Sequence, residues 1–238
     1  MTGDRECELT LTPRSVARAL GVVTALLVVI STAVLVVTSL AGRNPHEVRL
    51  AQMIYLDGER NLPTAFSTLL LLCAALLLAL IAVLERRRGD GGVPYWALLS
   101  AGFVAMGVDE AWSFHERLNE PVRALLGGRQ LGVYYYAWVA PAIVFVALLG
   151  LVFARFLWRL PGPTRTAFLV AAMVYLGGAI GIELIEGRFD EVHGDRNLVS
   201  GLIATLQETL ERAGVIVFIH ALLAYLGARH GALRIRWQ

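Results

Sequence analysis

Ionisable side chains occur at one end of three otherwise apolar stretches of this 238-residue chain. One stretch ends in an acidic run that also contains a histidine, and the other two carry Glu-x-x-Glu pairs. The residues in these three groups are Asp109, Glu110, His115, Glu116, Glu183, Glu186, Glu208 and Glu211. Such groups are costly within apolar segments and commonly serve metal binding, proton transfer or ion passage.

The spacing of these residues predicts that they meet at one level. Helical residues three apart share a face, which aligns the two glutamates of each Glu-x-x-Glu pair. Asp109 and Glu116, seven apart, also share a face, whereas the rest of their motif converges only if the helix is distorted. Asp109, Glu183 and Glu211 each lie 18 or 19 residues from a charged residue at the far end of their segment. At ~1.5 Å per residue, the three acids are therefore expected at a common depth of about 28 Å.

The charge of this cluster favours a divalent metal ion. Six acids near the shared level would together carry six negative charges, and Arg212 offers one positive charge there. These acids are Asp109, Glu110, Glu183, Glu186, Glu208 and Glu211. Two divalent cations would neutralise most of this charge, and paired glutamates on facing helices can form a dinuclear site. Ligation that is rich in oxygen, with the single His115, favours iron or manganese, and calcium, magnesium and zinc are left open. Both short motifs are Glu-x-x-Glu rather than the Glu-x-x-His usual in diiron bundles, which weakens the case for dinuclear iron.

Two other interpretations use the same residues. The acids could neutralise the nearby Arg117, Arg188 and Arg212, with the remaining carboxylates in contact with water. They could instead relay protons or bind cations in transit. The sequence leaves both open beside the metal site, in which Glu183, Glu186, Glu208, Glu211 and Asp109 are the main predicted ligands. Glu110, His115 and Glu116 would be further ligands or would support them.

Other potential ligands are few. His46, Glu59 and His193 lie in connections between apolar runs and could join the site, although ordinary surface residues are the favoured interpretation. The two cysteines, Cys7 and Cys73, form no metal-binding motif and predict no disulfide. The motifs of serine hydrolases, dinucleotide-binding folds and zinc proteases do not occur in the sequence.

The composition requires a membrane for most of this chain. Hydrophobic residues make up 57% and charged residues 17%, against about a quarter charged in soluble domains. A net charge of +2 gives no reason to expect nucleic acid as a partner. All 21 basic residues are arginine, which excludes chemistry that depends on a lysine.

Six apolar runs predict an all-α, polytopic fold with six transmembrane helices. Uncharged runs of 24, 24 and 25 residues are long enough to span the hydrocarbon core of a bilayer, and runs of 18, 17 and 16 residues are marginal. A single domain, residues 1–238, is expected. Its helices are predicted at about 15–41, 62–85, 94–118, 134–158, 166–188 and 201–228.

Arginines predict the orientation of these helices. They precede the first helix and follow the second, fourth and sixth, so both termini are predicted to be cytoplasmic, in the plasma (inner) membrane. The aromatic run from Tyr134 to Trp138 is interpreted as an interfacial belt. Gly177 and Gly181 predict close packing of the fifth helix on a neighbour.

Three stretches carry a resemblance to a family. They are Leu56 to Thr64, Asp109 to Glu116, and Glu208 to Gly214. Together they resemble uncharacterised bacterial multi-pass membrane proteins, over most of the chain from about residue 50. The resemblance implies no activity and gives modest additional weight to Glu59.

The predicted function is therefore an integral membrane protein with a carboxylate-rich metal site near the outer face. If the protein is an enzyme, we expect an oxidoreductase or hydrolase acting on a lipid, quinone or other amphiphile from the outer leaflet. The alternatives are a proton- or cation-coupled transporter or channel component, and an accessory subunit bound to other membrane proteins.

Overall fold

The computed structural model describes residues 12–128 and 130–231, and in these residues the chain is all-α. A π-helical segment, Gly177–Ile182, joins two of the helices into one continuous rod. The α-helices are α1 (Pro13–Leu40), α2 (Arg49–Gln52), α3 (Leu62–Arg87), α4 (Val93–Trp112), α5 (Asn119–Leu125), α6 (Val139–Arg159), α7 (Gly162–Leu176), α8 (Glu183–His193) and α9 (Leu198–His230).

Helix starts follow local capping chemistry. The Asn61 side chain accepts a hydrogen bond from the Thr64 backbone N–H at 3.0 Å and begins α3, with Pro63 in its first turn. Asn197 begins α9 in the same way, accepting from the backbone N–H groups of Val199 and Ser200.

Five helical segments are long and apolar enough to cross a membrane: Pro13–Leu40, Leu62–Arg87, Val139–Arg159, Gly162–His193 and Leu198–His230. By length and composition, these helices indicate a multi-pass membrane protein. The helix α4 has 20 residues and is about 30 Å long, but its last turn contains Asp109 and Glu110, and it is not among the five. The predicted count of six spans is thus not confirmed, and the orientation of the termini remains a prediction.

The helix α9 lies at the centre of the bundle, where it packs against α1, α3 and α7. Ile219 and Leu222 of α9 and Leu78 and Ile81 of α3 have no exposed surface. Aromatic side chains extend this core to α4, α6 and α7: Trp96 lies against Phe156, Phe168 and Tyr225. The result is a dense apolar layer across half of the bundle.

The two ends of the bundle differ in charge. We call the end that holds connections 41–61, 113–138 and 194–197 the acidic end, and the end that holds connections 88–92 and 160–161 the basic end. At the basic end, Glu85 has no exposed surface and accepts hydrogen bonds from Tyr225 and Arg229, both at 2.8 Å. Arg229 also bridges to Asp90 at 2.7 Å, which ties α9 to the α3–α4 turn.

Two predicted helix bounds are wrong for a local reason. The helix α4 ends at Trp112 rather than at about 118, because Ser113 adopts a left-handed backbone conformation with φ of 49°. The helix α6 begins at Val139 rather than at about 134, after a short 3₁₀ turn at Gly132–Tyr134. The face shared by Asp109 and Glu116 in the sequence argument therefore does not exist.

The glycine prediction named the wrong residues. A methyl group on Gly177 or Gly181 would meet nothing within 4 Å. On the adjacent Gly178 it would lie 2.8 Å from the Gln207 carbonyl oxygen, and on Gly214 2.6 Å from the Tyr175 backbone nitrogen. Close approach of α7 and its π-helical extension to α9 thus depends on Gly178 and Gly214.

Candidate functional site

A cavity of about 590 Å³ lies at the acidic end of the bundle. Its walls come from the connections at this end and from the nearby turns of α8 and α9. The ionisable residues that line it are His46, Asp57, Glu59, His115, Glu116, Glu183, Glu186 and Glu208. The described lining contains six carboxylates and two imidazoles, and no arginine.

The α2–α3 connection brings Asp57 and Glu59 to the cavity. Tyr55 and Leu56 anchor this connection, since they are only 3% and 2% exposed. The Leu56 backbone N–H donates to the buried Ser31 Oγ of α1 at 2.8 Å. The anchored segment positions both acids above the ends of the helices.

The π-helical segment precedes the two acids of α8. A π turn adds a residue to the helical repeat and rotates the residues that follow it, and such turns are frequent at functional sites. Here Glu183 and Glu186 come directly after it, and both line the cavity. Their i, i+3 spacing places them on one face, as the sequence predicted.

Glu183 is held by two neutral donors. It accepts hydrogen bonds from Trp138 Nε1 at 2.9 Å and from Gln207 Nε2 at 2.6 Å. Asn119 positions Trp138 by accepting from its backbone N–H at 3.1 Å. Glu186 differs, because it is only 6% exposed, lines the cavity, and forms no hydrogen bond or ion pair with another described residue.

Asp109 and His115 form a close pair at the turn that follows α4. Asp109 accepts from the His115 backbone N–H at 2.9 Å, and its other oxygen lies 2.6 Å from His115 Nδ1. The left-handed Ser113 reverses the chain and makes this contact within six residues. Burial of the ring opposes its charged form, but the hydrogen bond and charge of Asp109 outweigh burial and raise the pKa of His115. The pairing leaves Nε2 available to the cavity.

Glu116 and Glu59 lie together on the wall formed by the connections. Partial burial, the hydrogen bond to Glu59 and the charge of Glu59 raise the pKa of Glu116 to about 8. Two adjacent carboxyl groups commonly share one proton in this way. A cation in the cavity would favour release of that proton.

A smaller chamber of about 10 Å³ lies next to the cavity, and Glu208 lines both. Arg212, only 2% exposed, pairs with Glu208 at 2.6 Å, and its Nε and Nη2 atoms have no partner among the described residues. Glu110 and Glu211 also line this chamber. Here a single guanidinium faces three carboxylates.

The structure brings together five of the eight predicted residues and separates the others. His115, Glu116, Glu183, Glu186 and Glu208 line the cavity. Three predicted ligands do not: Glu110 and Glu211 line the inner chamber, and Asp109 lies behind His115.

The interpretation that arginines neutralise the acids holds at one position only. Arg212 pairs with Glu208, whereas Arg188 pairs with Glu191 at 2.8 Å and Arg117 stacks on Phe114.

The cavity lining includes several residues that the sequence pattern did not place at the site. His46 and Glu59 were favoured as surface residues, and Asp57 was not selected. Tyr136 and Trp138, interpreted as an interfacial belt, instead line the cavity and donate hydrogen bonds to Asp190 and Glu183. The available signal was their position, since the aromatic run leads directly into the predicted fourth helix at the level of the acids. His193 is exposed and stacks on Phe189, outside the cavity lining.

The predicted metal centre finds no support in the arrangement of the described side chains. Among these residues, no three His, Cys, Asp or Glu side chains converge as a group that could hold a metal ion. The predicted ligands instead divide between the cavity, the inner chamber and the Asp109–His115 pair. The metal and its identity remain predictions, and Cys7 lies outside the described residues.

Fold and site define the class: an all-α membrane protein with an acid-lined cavity at one end of its helices. The chain belongs to the family described as a domain of unknown function, DUF8692, whose model matches residues 19–226. No curated protein and no solved structure matches the chain. Membership of an uncharacterised family is thereby confirmed, and a bacterial source remains a prediction.

Proposed function

We propose that this protein binds a cationic organic ligand in the cavity at the acidic end. One observation carries the proposal: the described lining has six carboxylates and no arginine, in a chain without lysine. Negative charge that is not balanced within the protein favours a positively charged ligand.

The size and chemistry of the cavity support an organic molecule. Ligand-binding cavities typically measure about 300–1,000 Å³, and this one is about 590 Å³. Trp138, Tyr136 and His115 supply aromatic surface beside the acids, which suits an ammonium or guanidinium group carried on a hydrocarbon frame. Glu186, buried and without a protein partner, is the group best placed to bind the positive charge.

The cavity ends in apolar packing, which favours binding or catalysis over passage across the membrane. Leu70, Leu71 and Val215 border the inner chamber. Beyond them, toward the basic end, Leu78 and Leu222 have no exposed surface. A transport function would require this layer to open, because permeation pathways need polar groups along their length.

A divalent metal ion is the second candidate ligand. The oxygen-rich lining and the paired Asp109 and His115 resemble the parts of a metal site, in which a carboxylate often orients a histidine ligand. Iron or manganese, singly or in a dinuclear site, would require the carboxylates to move toward one another. The metal would then polarise a lipid, quinone or other amphiphile from the outer leaflet.

We further propose that the protein spans the plasma membrane six times, with α4 as the sixth span and both termini in the cytoplasm. Arginines at the basic end favour this orientation. The cavity would then face outward and take its ligand from the external side. Bilayer lipids would surround the bundle, and its exposed apolar surface would also accommodate partner membrane proteins.

Titration calorimetry on the purified protein in detergent tests this proposal. We expect 1,4-diaminobutane to bind, and Glu186→Gln to weaken its binding about tenfold or more, because hydrogen bonds to charged groups are among the stronger ones. Glu120→Gln is the matched control, since the Glu120 side chain is 86% exposed and outside the cavity. Tight binding of Mn²⁺ or Fe²⁺ with no binding of any amine would favour the metal candidate instead.

A further inference from the structure

We infer that the ligand is a linear polyamine, with at least two positive groups that contact acids from different elements of the cavity. This inference rests on the proposed function and specifies the class of its ligand. It depends on the distribution of the carboxylates, on the balance of charge and on the isolation of Glu186.

The cavity acids form two sets on different parts of the chain. The first set is helical and consists of Glu183 and Glu186 on α8 and Glu208 on α9. The second set is supplied by connections and consists of Asp57, Glu59 and Glu116. Among the described residues, no three such side chains form a group that could hold a metal ion, so neither set offers a small ion a ready-made site. A chain with separated charges can contact both.

The balance of charge requires more than one positive group. Arg212 neutralises Glu208, and a charged His46 would neutralise Asp57, which lies 3.8 Å away. Glu116 shares a proton with Glu59, and His115 is already paired with Asp109 outside the lining. Three of the six carboxylates would still lack a positive partner. A monovalent ligand would leave two of them unpaired in a partly enclosed site, where unpaired charges are costly.

Glu186 gives independent evidence for a ligand. Its side chain is more than nine-tenths buried, reaches the cavity wall, and lacks a hydrogen-bonding partner among the described residues. Buried carboxylates in folded proteins are ordinarily paired. Glu183, one turn away on the same face, has both Trp138 and Gln207 as donors. The contrast assigns Glu186 to a partner that comes from outside the chain.

The aromatic residues explain why the charges would be joined by hydrocarbon. Trp138 and Tyr136 line the cavity beside the helical set, where Trp138 donates a hydrogen bond to Glu183. A methylene chain packs favourably on aromatic rings, while its terminal ammonium groups reach the carboxylates. A hydrated metal ion would gain nothing from these rings.

A charge series tests the inference. We would titrate the full-length protein with n-butylamine, 1,4-diaminobutane and spermidine, at one pH and ionic strength. The expected result is an affinity that rises about tenfold or more with each added charge. Equal affinity for the three amines would overturn the polyamine inference and leave the proposed function intact. No binding of any of them by folded protein would overturn the proposed function itself.

Two variants locate the charges. Glu186→Gln removes an acid of the helical set and Glu116→Gln one of the second set, and each is expected to reduce the preference for diamine over monoamine about tenfold. Glu120→Gln, on the exposed face of α5, should leave that preference unchanged. A thermal unfolding scan of each variant shows that it is folded. An unchanged preference in both folded variants would refute the assignment of two contact points.

Discussion

Glu186 illustrates how a single buried carboxylate can mark a binding site. It is 6% exposed, yet no described residue donates a hydrogen bond to it or forms an ion pair with it. It lies one turn after Glu183 and close to the π-helical segment. Glu186 therefore lowers the stability of the protein without ligand and raises its affinity for the ligand, as residues of functional sites often do.

Replacing Glu186 with Gln should stabilise the protein when no ligand is present. The substitution keeps the shape and removes an unpaired buried charge, so we expect a gain of about 1–3 kcal/mol. A rise of the thermal unfolding midpoint in detergent would show it. The rise should vanish when both proteins are saturated with 1,4-diaminobutane, since the ligand stabilises the natural protein more. A lower midpoint without ligand would mean that Glu186 has a stabilising partner.

The pair formed by Glu116 and Glu59 should make ligand binding depend on pH. Burial and Glu59 raise the pKa of Glu116 to about 8, while Asp57 raises it further and His115 lowers it. A raised carboxyl pKa means that the proton is held at neutral pH and is lost as pH rises through about 8. We therefore expect affinity for a diamine to increase between pH 7 and about 9.

Calorimetry across this pH range measures the effect in natural protein and in Glu116→Gln. The variant lacks the titrating group, so its affinity should change less with pH. Identical pH profiles would show that another group governs the dependence, with His115 the first candidate because its pKa is also raised.

Helix geometry decides which acids reach the cavity. The left-handed Ser113 ends α4 early and folds His115 back onto Asp109, so the acidic run from Asp109 to Glu116 does not form one helix face. The π-helical segment positions Glu183 and Glu186 on the cavity wall. Neither irregularity follows from the apolar periodicity of the chain, because both depend on packing against neighbouring elements.

Gly178 and Gly177 provide a matched pair for the contact between α9 and the π-helical segment. A methyl group at Gly178 would lie 2.8 Å from the Gln207 carbonyl oxygen and 3.0 Å from Leu210 Cβ, whereas one at Gly177 meets nothing within 4 Å. We expect Gly178→Ala to destabilise the protein by about 1–3 kcal/mol through overpacking. Gly177→Ala should be neutral or slightly stabilising, since alanine favours a helix.

Thermal unfolding of both glycine variants measures this difference. Gly178→Ala should also weaken diamine binding, because it displaces Gln207, which holds Glu183. Equal stability of the two variants would show that α9 and the π-helical segment are farther apart than described.

At the scale of the whole molecule, the two ends of the bundle have different roles. The basic end is closed by Glu85, Tyr225 and Arg229, whose mutual hydrogen bonds leave no exposed surface on the carboxylate. The acidic end is open to a cavity with unbalanced charge. An apolar layer between them separates the ligand site from the opposite face. This asymmetry suits a protein that takes its ligand from one side of the membrane.

The number of spans determines where the termini lie. With α4 as a sixth span, both termini lie on one side of the membrane, and with five spans they lie on opposite sides. We expect a green fluorescent protein to be fluorescent at either terminus, and alkaline phosphatase fused after the last residue to be inactive, since both ends are predicted to be cytoplasmic. A fluorescent N-terminal fusion with an active C-terminal phosphatase would refute six spans.

The sequence by itself determined the helical membrane class and the end at which the acids lie. Long uncharged runs and their distances from charged residues are properties along one chain, and a helix converts them directly into depth. Asp109, Glu183 and Glu211 could therefore be predicted to share a level. Only the tertiary structure decided which acids face a common space, because helix rotation, the turn at Ser113 and the approach at Gly178 depend on neighbouring elements. The tertiary structure also separates carboxylates that the sequence predicted at one metal centre. A common depth fixes only one of the three spatial coordinates of a side chain, whereas convergence on one ion requires all three coordinates to match.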